Sequence, residues 1–160
     1  IPARVSGNPE TDHCEIQLDT RKTDIFWIKP ERLITRSFYS FVLEANNNMF
    51  HFDLSGHEEV QFTKYHEGGY YEWHRDCANN GPKESNSIRK LSAVIQLSNP
   101  STYEGGEFQF YDGIQPELVP DIKEQGLVIV FECADWHRLA PITKGVRYSL
   151  VIWANGPSFK

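Results

Sequence analysis

A chain of 160 residues with 39% hydrophobic and 24% charged side chains has enough apolar material for one globular domain, and it lacks the bias of a disordered segment or the run of about 18 apolar residues that crosses a bilayer. With 22 acidic residues against 16 basic ones the net charge is −6, so a phosphate-tracking surface would have to form against the field of the whole chain, and neither nucleic acid nor a membrane is expected as a partner. Cys14, Cys77 and Cys133 are odd in number and form no Cys-x-x-Cys pair, which excludes a disulfide scaffold or thiolate zinc site and fits a reducing, cytoplasmic setting with a monomeric chain.

The chain starts at Ile1 rather than Met, so processing or trimming is expected to have set that start. Up to Asp24 it is polar and turn-rich, with Gly7-Asn8-Pro9 and Asp19-Thr20-Arg21-Lys22, and reads as an N-terminal arm over residues 1–24. Residues 25–160 read as the domain. From Pro30 to Asn46 the apolar residues Leu33, Ile34, Phe38, Phe41, Val42 and Ala45 recur at helical spacing. The period then changes. Met49–Leu54, Val60–Tyr65, Tyr70–Arg75, Leu91–Leu97, Glu107–Tyr111, Leu127–Phe131 and Arg147–Trp153 are short β-branched or aromatic runs separated by Gly, Pro, Asn and Asp. Strands this close together leave no room for crossover helices. The expectation is a mainly β, antiparallel double sheet, a double-stranded β-helix or jelly roll, with the helix on its flank.

The chemistry is concentrated after Tyr65. In Tyr70-Tyr71-Glu72-Trp73-His74-Arg75-Asp76 the period of a strand puts His74 and Asp76 on one face, where a nitrogen and a carboxylate oxygen can take two corners of a metal. His137, from a distant strand, is the candidate third ligand. Two histidines and one carboxylate leave three positions open, which suits an Fe(II) that must hold a bidentate co-substrate and O₂. The alternative for His74-x-Asp76 is a solvated strand end. Further on, Arg147, Ser149, Val151 and Trp153 share one face of a strand while Tyr148, Leu150 and Ile152 take the other. An arginine pointing into a barrel needs a partner, either a neighbouring acid or an anionic ligand gripped through two parallel hydrogen bonds with Ser149 as a further donor.

Tyr65, Gly68-Gly69-Tyr70-Tyr71, His74-Arg75-Asp76, Arg89-Lys90-Leu91-Ser92-Ala93-Val94-Ile95-Gln96-Leu97-Ser98, Tyr103-Glu104-Gly105-Gly106-Glu107, Trp136-His137 and Thr143-Lys144-Gly145-Val146-Arg147-Tyr148-Ser149 together resemble the Fe(II)/2-oxoglutarate dioxygenases, in their prolyl 4-hydroxylase-like branch of microbial and phage hydroxylases. The likeness spans about Asp24 to Pro157. It implies His74, Asp76 and His137 as iron ligands and catalytic residues, and Arg147 as the clamp on the distal carboxylate of 2-oxoglutarate. Tyr65, Gln96 and Ser149 fall beside the same co-substrate, and Arg89 and Trp153 at the substrate mouth. Many collagen-type relatives carry a lysine where Arg147 stands, and no segment corresponds to their peptide-substrate-binding domain.

The resemblance implies hydroxylation of a prolyl residue in a protein or peptide by O₂, yielding succinate and CO₂, with ascorbate as reductant. The same chemistry on another side chain or a free amino acid is the nearest alternative, and a non-catalytic jelly-roll binding module the more distant one. Asp76 argues against halogenation, which needs a small residue there. Trp153, where base-repair relatives place a second arginine, argues against an alkylated base. The polar run Cys77–Ser87 is expected to be either a lid or a plain connection. Tyr71 and Trp73 fall on the face opposite His74 unless a bulge intervenes. His13, His51, His57 and His66 are expected outside the site, and Cys77 as a small buried residue without a role.

Overall fold

The structure, a computed structural model, describes residues 13–18, 20–77, 87–111, 113, 116–118 and 122–158. The expected run Cys77–Ser87 lies, over residues 78–86, outside the described residues. The chain opens with β1 (His13–Leu18) and β2 (Arg21–Ile28), then helix α1 (Leu33–Ala45), followed by β3 (Gly56–His57), β4 (Val60–Tyr65), β5 (Tyr70–His74) and β6 (Ser87–Gln96). It continues through β7 (Tyr103–Gly105), β8 (Phe108–Tyr111), β9 (Pro116–Leu118), β10 (Val128–Glu132), β11 (His137–Leu139), β12 (Ile142–Gly145) and β13 (Arg147–Pro157).

One sheet runs in the order β10, β6, β13, β4, β2, β5, β11, β8, β9, with β1 added on β2 and β3 on β13, while β7 and β12 form a separate ribbon. All pairings among the described residues are antiparallel. Laid flat, the seven strands from β6 to β8 would spread over roughly 29 Å at the usual strand spacing. Yet Val94 of β6, Val151 of β13, Gln61 of β4, Tyr71 of β5 and Phe108 of β8 line one pocket. The sheet is therefore curled round on itself, as the jelly-roll expectation required.

Strand alternation divides the apolar residues between two cores. Outward from β13, Leu150, Ile152 and Ala154 join Val60, Leu91 and Ala93 beneath Phe38 and Val42 of α1. Inside the curl, Tyr65, Val94, Tyr103, Phe108, Phe131, Leu139 and Ile142 form the second core, which walls the site. Gly106, at φ 65, lets the chain cross the Ile142 side chain where a Cβ would meet its Cδ1.

Two expectations differ from the fold. Met49–Leu54 is not a strand: α1 runs on into a π turn over Asn46–Phe50, and the residues after it up to Ser55 have no regular element. The Asn46 amide donates to the Phe52 carbonyl (3.0 Å) and accepts from its N–H (2.9 Å), closing the chain on itself. Phe50, Phe52 and Leu54 then pack on the outer core outside any strand, so their alternation reflects burial against the helix. Conversely, β2 straddles the expected boundary between arm and domain at Asp24 and lies between β4 and β5 in the sheet.

Candidate metal centre and co-substrate pocket

His74 and Asp76 do not share a strand face, because β5 ends at His74 and Asp76 sits in the following turn. The turn nevertheless brings the groups together. His74 Nε2 lies 3.5 Å from Asp76 Oδ1 and His137 Nε2 lies 3.6 Å from Asp76 Oδ2, and the candidate ligand atoms of all three residues fall within 4.8 Å of one another. β11 supplies His137 directly opposite His74 in the ladder.

Both imidazoles are held in the tautomer a metal ligand needs. His74 Nδ1 is 2.7 Å from the Glu72 carbonyl and His137 Nδ1 is 2.8 Å from the Asp135 carbonyl. A carbonyl can only accept, so each Nδ1 carries a proton, and each Nε2 faces Asp76. Burial pushes His137 down to about 4, with Asp76 opposing and His74 assisting, so His137 is neutral near pH 7. For Asp76, burial disfavours the charge, but its pairing with His74 and the nearness of both imidazoles outweigh that and hold the carboxyl well below the usual carboxylate range. Ser92 Oγ donates to Asp76 Oδ2 at 2.7 Å and fixes the carboxylate's orientation. Two imidazole nitrogens and one ionised, oriented carboxylate are a donor set that fits Fe(II) with open positions.

The same pocket is floored by Arg147, 2% exposed. Its Nη1 donates to Ser149 Oγ (3.1 Å) and its Nη2 to Gln96 Oε1 (2.7 Å), while Nε has no partner. It makes no ion pair among the described residues. Burial weighs against its charge, and the nearby Tyr65 and Tyr103 oppose that effect. The Tyr65 ring lies 5.6 Å from the Arg147 Cζ, and the buried Tyr103 hydroxyl is close enough to the guanidinium to favour its charge. A buried cation with neutral neighbours and an unused donor fits a carboxylate ligand such as that of 2-oxoglutarate.

The remaining expected residues divide. Trp153 lines the pocket beside Asp76, and its indole N–H helps to hold the Asp76 carboxyl low. Arg89 is not among the lining residues. Its Nε donates to Glu58 Oε1 (2.6 Å), its Nη1 to the Asp76 carbonyl (3.3 Å), and its Cζ lies 4.0 Å from the Trp153 ring centroid. It braces the Asp76 turn and Trp153 from behind. The His57 ring lies tilted against Tyr39 (centroids 4.4 Å) and His66 pairs with Asp24 (2.9 Å), both away from the site, and His51 is an exposed left-handed residue at the π-turn exit. Cys77 is exposed rather than buried, since it follows Asp76 at the rim of the turn.

Sequence reasoning missed Arg21 and undervalued Tyr71. The β5–β11 register shifts between His137, opposite His74, and Leu139, opposite Tyr71, so β5 is bulged by one residue. The bulge turns Tyr71 to the His74 side, and the two rings stack at 3.5 Å with 15° between planes. Arg21 enters from β2, where it pairs with Tyr71 in the ladder.

A two-histidine, one-carboxylate centre beside a buried arginine, inside a curled antiparallel sheet, defines the class of jelly-roll metal oxygenases. The family model described as 2OG-Fe(II) oxygenase superfamily matches residues 60–155, and the chain belongs to that family. Membership implies Fe(II), 2-oxoglutarate and O₂ as the groups the site handles. A PKHD-type hydroxylase of Pseudomonas putida (strain W619) is 34% identical over 91 residues, covering 56% of this chain and 39% of that protein, so the chain spans about two fifths of this relative's length. Among solved structures, the viral collagen prolyl hydroxylase of Paramecium Bursaria Chlorella virus-1, in a 2OG complex, superposes with a TM-score of 0.68 at 19% identity, covering 86% of this chain and 80% of that one. A Trichoplax adhaerens prolyl hydroxylase, in complex with a hypoxia inducible factor peptide fragment, gives a TM-score of 0.67 at 16% identity, covering 89% and 70%. These likenesses establish a shared fold. No helix among the described residues is long and apolar enough to cross a membrane.

Proposed function

We propose that this chain is the catalytic core of a 2-oxoglutarate-dependent hydroxylase that acts on a prolyl residue of a protein or peptide. The observation that carries the reading is the convergence, in one pocket, of the His74, Asp76 and His137 ligand atoms and the acid-free guanidinium of Arg147. In this reading Fe(II), when bound with 2-oxoglutarate and O₂, supplies oxidative decarboxylation to succinate and CO₂ coupled to hydroxylation of a C–H bond, with ascorbate as the reductant that keeps the metal ferrous.

Each residue has a task of its own. His74, Asp76 and His137 hold the metal on one side. Arg147 takes the far carboxylate of 2-oxoglutarate through its free Nε edge, oriented by Gln96 and Ser149, with Tyr65 closing the same end. Val94, Val151, Phe108 and Leu139 keep that end dry, which strengthens the charge pairing. Trp153 offers a flat apolar wall suited to a pyrrolidine ring, and Arg89 serves the substrate side by holding that wall. Prolyl hydroxylases among the structural neighbours favour proline as the target class.

The test is succinate release with Fe(II), 2-oxoglutarate and ascorbate across proline-containing peptides and their alanine replacements. Stimulation by the proline members alone is expected. Iron-dependent succinate with no preference between the two sets would retain the oxygenase and discard the prolyl target.

A further inference from the structure

The pocket holds a second buried arginine that the co-substrate does not require. Arg21 is 8% exposed, lines the pocket, leaves its Nε without a hydrogen-bond partner and makes no ion pair among the described residues. It does not trail from a loose end. Its strand pairs Arg21 with Tyr71, and the Glu72 N–H donates to the Thr20 carbonyl at 2.8 Å, so the backbone is fixed on both sides. Among the described residues the contact that repays its burial is the Tyr71 ring, 4.4 Å from Cζ. A cation–π contact leaves the in-plane N–H donors of a guanidinium unused.

Among the described pocket-lining residues the sole acid is Asp76, and it is already engaged by His74, His137 and Ser92. Among the described residues the cavity therefore presents two guanidinium groups and no carboxylate free to neutralise either. One, Arg147, suffices for the distal carboxylate of 2-oxoglutarate. The other awaits a separate anion. Its place is defined by Tyr71, whose ring touches Arg21 and also stacks on the candidate metal ligand His74 at 3.5 Å. An anionic group on Arg21 would thus lie about one aromatic ring from the metal centre, within reach of the molecule whose carbon is oxidised.

We infer that Arg21 forms a second anion subsite, which selects substrates carrying a carboxylate close to the carbon to be hydroxylated. The inference deepens the oxygenase reading and rests on it. The carboxylate has two possible sources, a C-terminal carboxylate next to the target residue or an acidic side chain beside it, and the guanidinium fork serves both.

The experiment uses the protein loaded with Mn(II) in place of Fe(II) and saturated with 2-oxoglutarate, so that Arg147 is occupied and no turnover occurs. Calorimetric titration compares N-acetyl-L-proline with N-acetyl-L-prolinamide, and N-acetyl-L-glutamate α-amide with N-acetyl-L-glutamine amide. Each pair differs in charge alone, and the two pairs separate the two sources. The carboxylate member of at least one pair is expected to bind about tenfold or more tightly, as for a charge-assisted hydrogen bond, and Arg21→Gln to reduce that ratio to about twofold. Arg21→Lys, which keeps the charge and loses the fork, retains part of the ratio and carries the test if Arg21→Gln does not fold. Equal binding within both pairs in the unmodified protein overturns the inference. So does a carboxylate preference that survives Arg21→Gln. Titration of the Mn(II) protein with 2-oxoglutarate reports separately on the parent reading: no binding there overturns the oxygenase itself, whereas normal binding with no carboxylate preference removes only the role of Arg21.

Discussion

Tyr71 and His74, three residues apart on β5, lie ring to ring at 3.5 Å because a one-residue bulge against β11 turns both to the same side of the sheet. The phenol ring is one wall of the slot that aims His74 Nε2 at Asp76.

Removing that wall should loosen the ligand. Tyr71→Ala is expected to weaken metal binding about tenfold, by the scale typical of residues that orient metal ligands, whereas Tyr71→Phe keeps the ring and stays near the parent value. Competition with a fluorescent chelator measures both.

Ser92 holds Asp76 through a single 2.7 Å hydrogen bond, in a position where neither group reaches water freely. Ser92→Ala is expected to cost about 10- to 100-fold in metal affinity. The same chelator competition checks it, and an unchanged affinity would mean that the Asp76 turn alone sets the carboxylate's direction.

Arg147 and the triad should separate by ligand. Arg147→Ala is expected to raise the 2-oxoglutarate dissociation constant by about two orders of magnitude, the scale for losing one partner of a buried charge pair, while leaving metal affinity within a few-fold. Gln96→Ala removes an acceptor that orients the guanidinium and should produce a smaller loss of the same kind. Isothermal titration of each variant with the metal and then with 2-oxoglutarate separates the two effects.

The two described cysteines near the site should differ in reactivity. Burial, reinforced by Cys77 and Asp76, pushes the Cys133 thiol up to about 12, and its Sγ donates to the Arg89 carbonyl at 2.7 Å. Cys77 is exposed. Peptide mapping after brief iodoacetamide treatment of the native protein at pH 8 is expected to find Cys77 alkylated and Cys133 intact. The folded state keeps the Cys133 proton that the unfolded chain gives up above about pH 9, so its contribution to stability is present below pH 9 and declines as the pH rises from there toward 12.

How much of this was legible in the sequence depended on whether a residue's environment was set locally. β13 alternates faithfully: Arg147, Ser149, Val151 and Trp153 all line the pocket, and Leu150 and Ile152 lie under the helix. The clustering of His74, Asp76 and His137 was legible because His74 and Asp76 sit close in the chain, although a turn joins them where a strand was expected. Two departures had physical causes invisible at that level. The Tyr71 bulge comes from pairing with β11, more than sixty residues away, and no local pattern announces it. β2 was hidden because its buried positions include the polar Arg21 and Thr23, so its burial alternates while its hydropathy does not. Thr23 satisfies itself on the Lys64 carbonyl at 3.0 Å, and Arg21 answers to the pocket, neither of which a residue-by-residue reading of an arm reveals.

The most direct measurement is succinate formed from 2-oxoglutarate under air with Fe(II), comparing the parent protein with Asp76→Ala at matched folded concentration. Iron-dependent succinate is expected from the parent chain and none above background from the variant, because two imidazoles without the carboxylate cannot hold the metal in place. Equal succinate from both would contradict this and place the chemistry elsewhere.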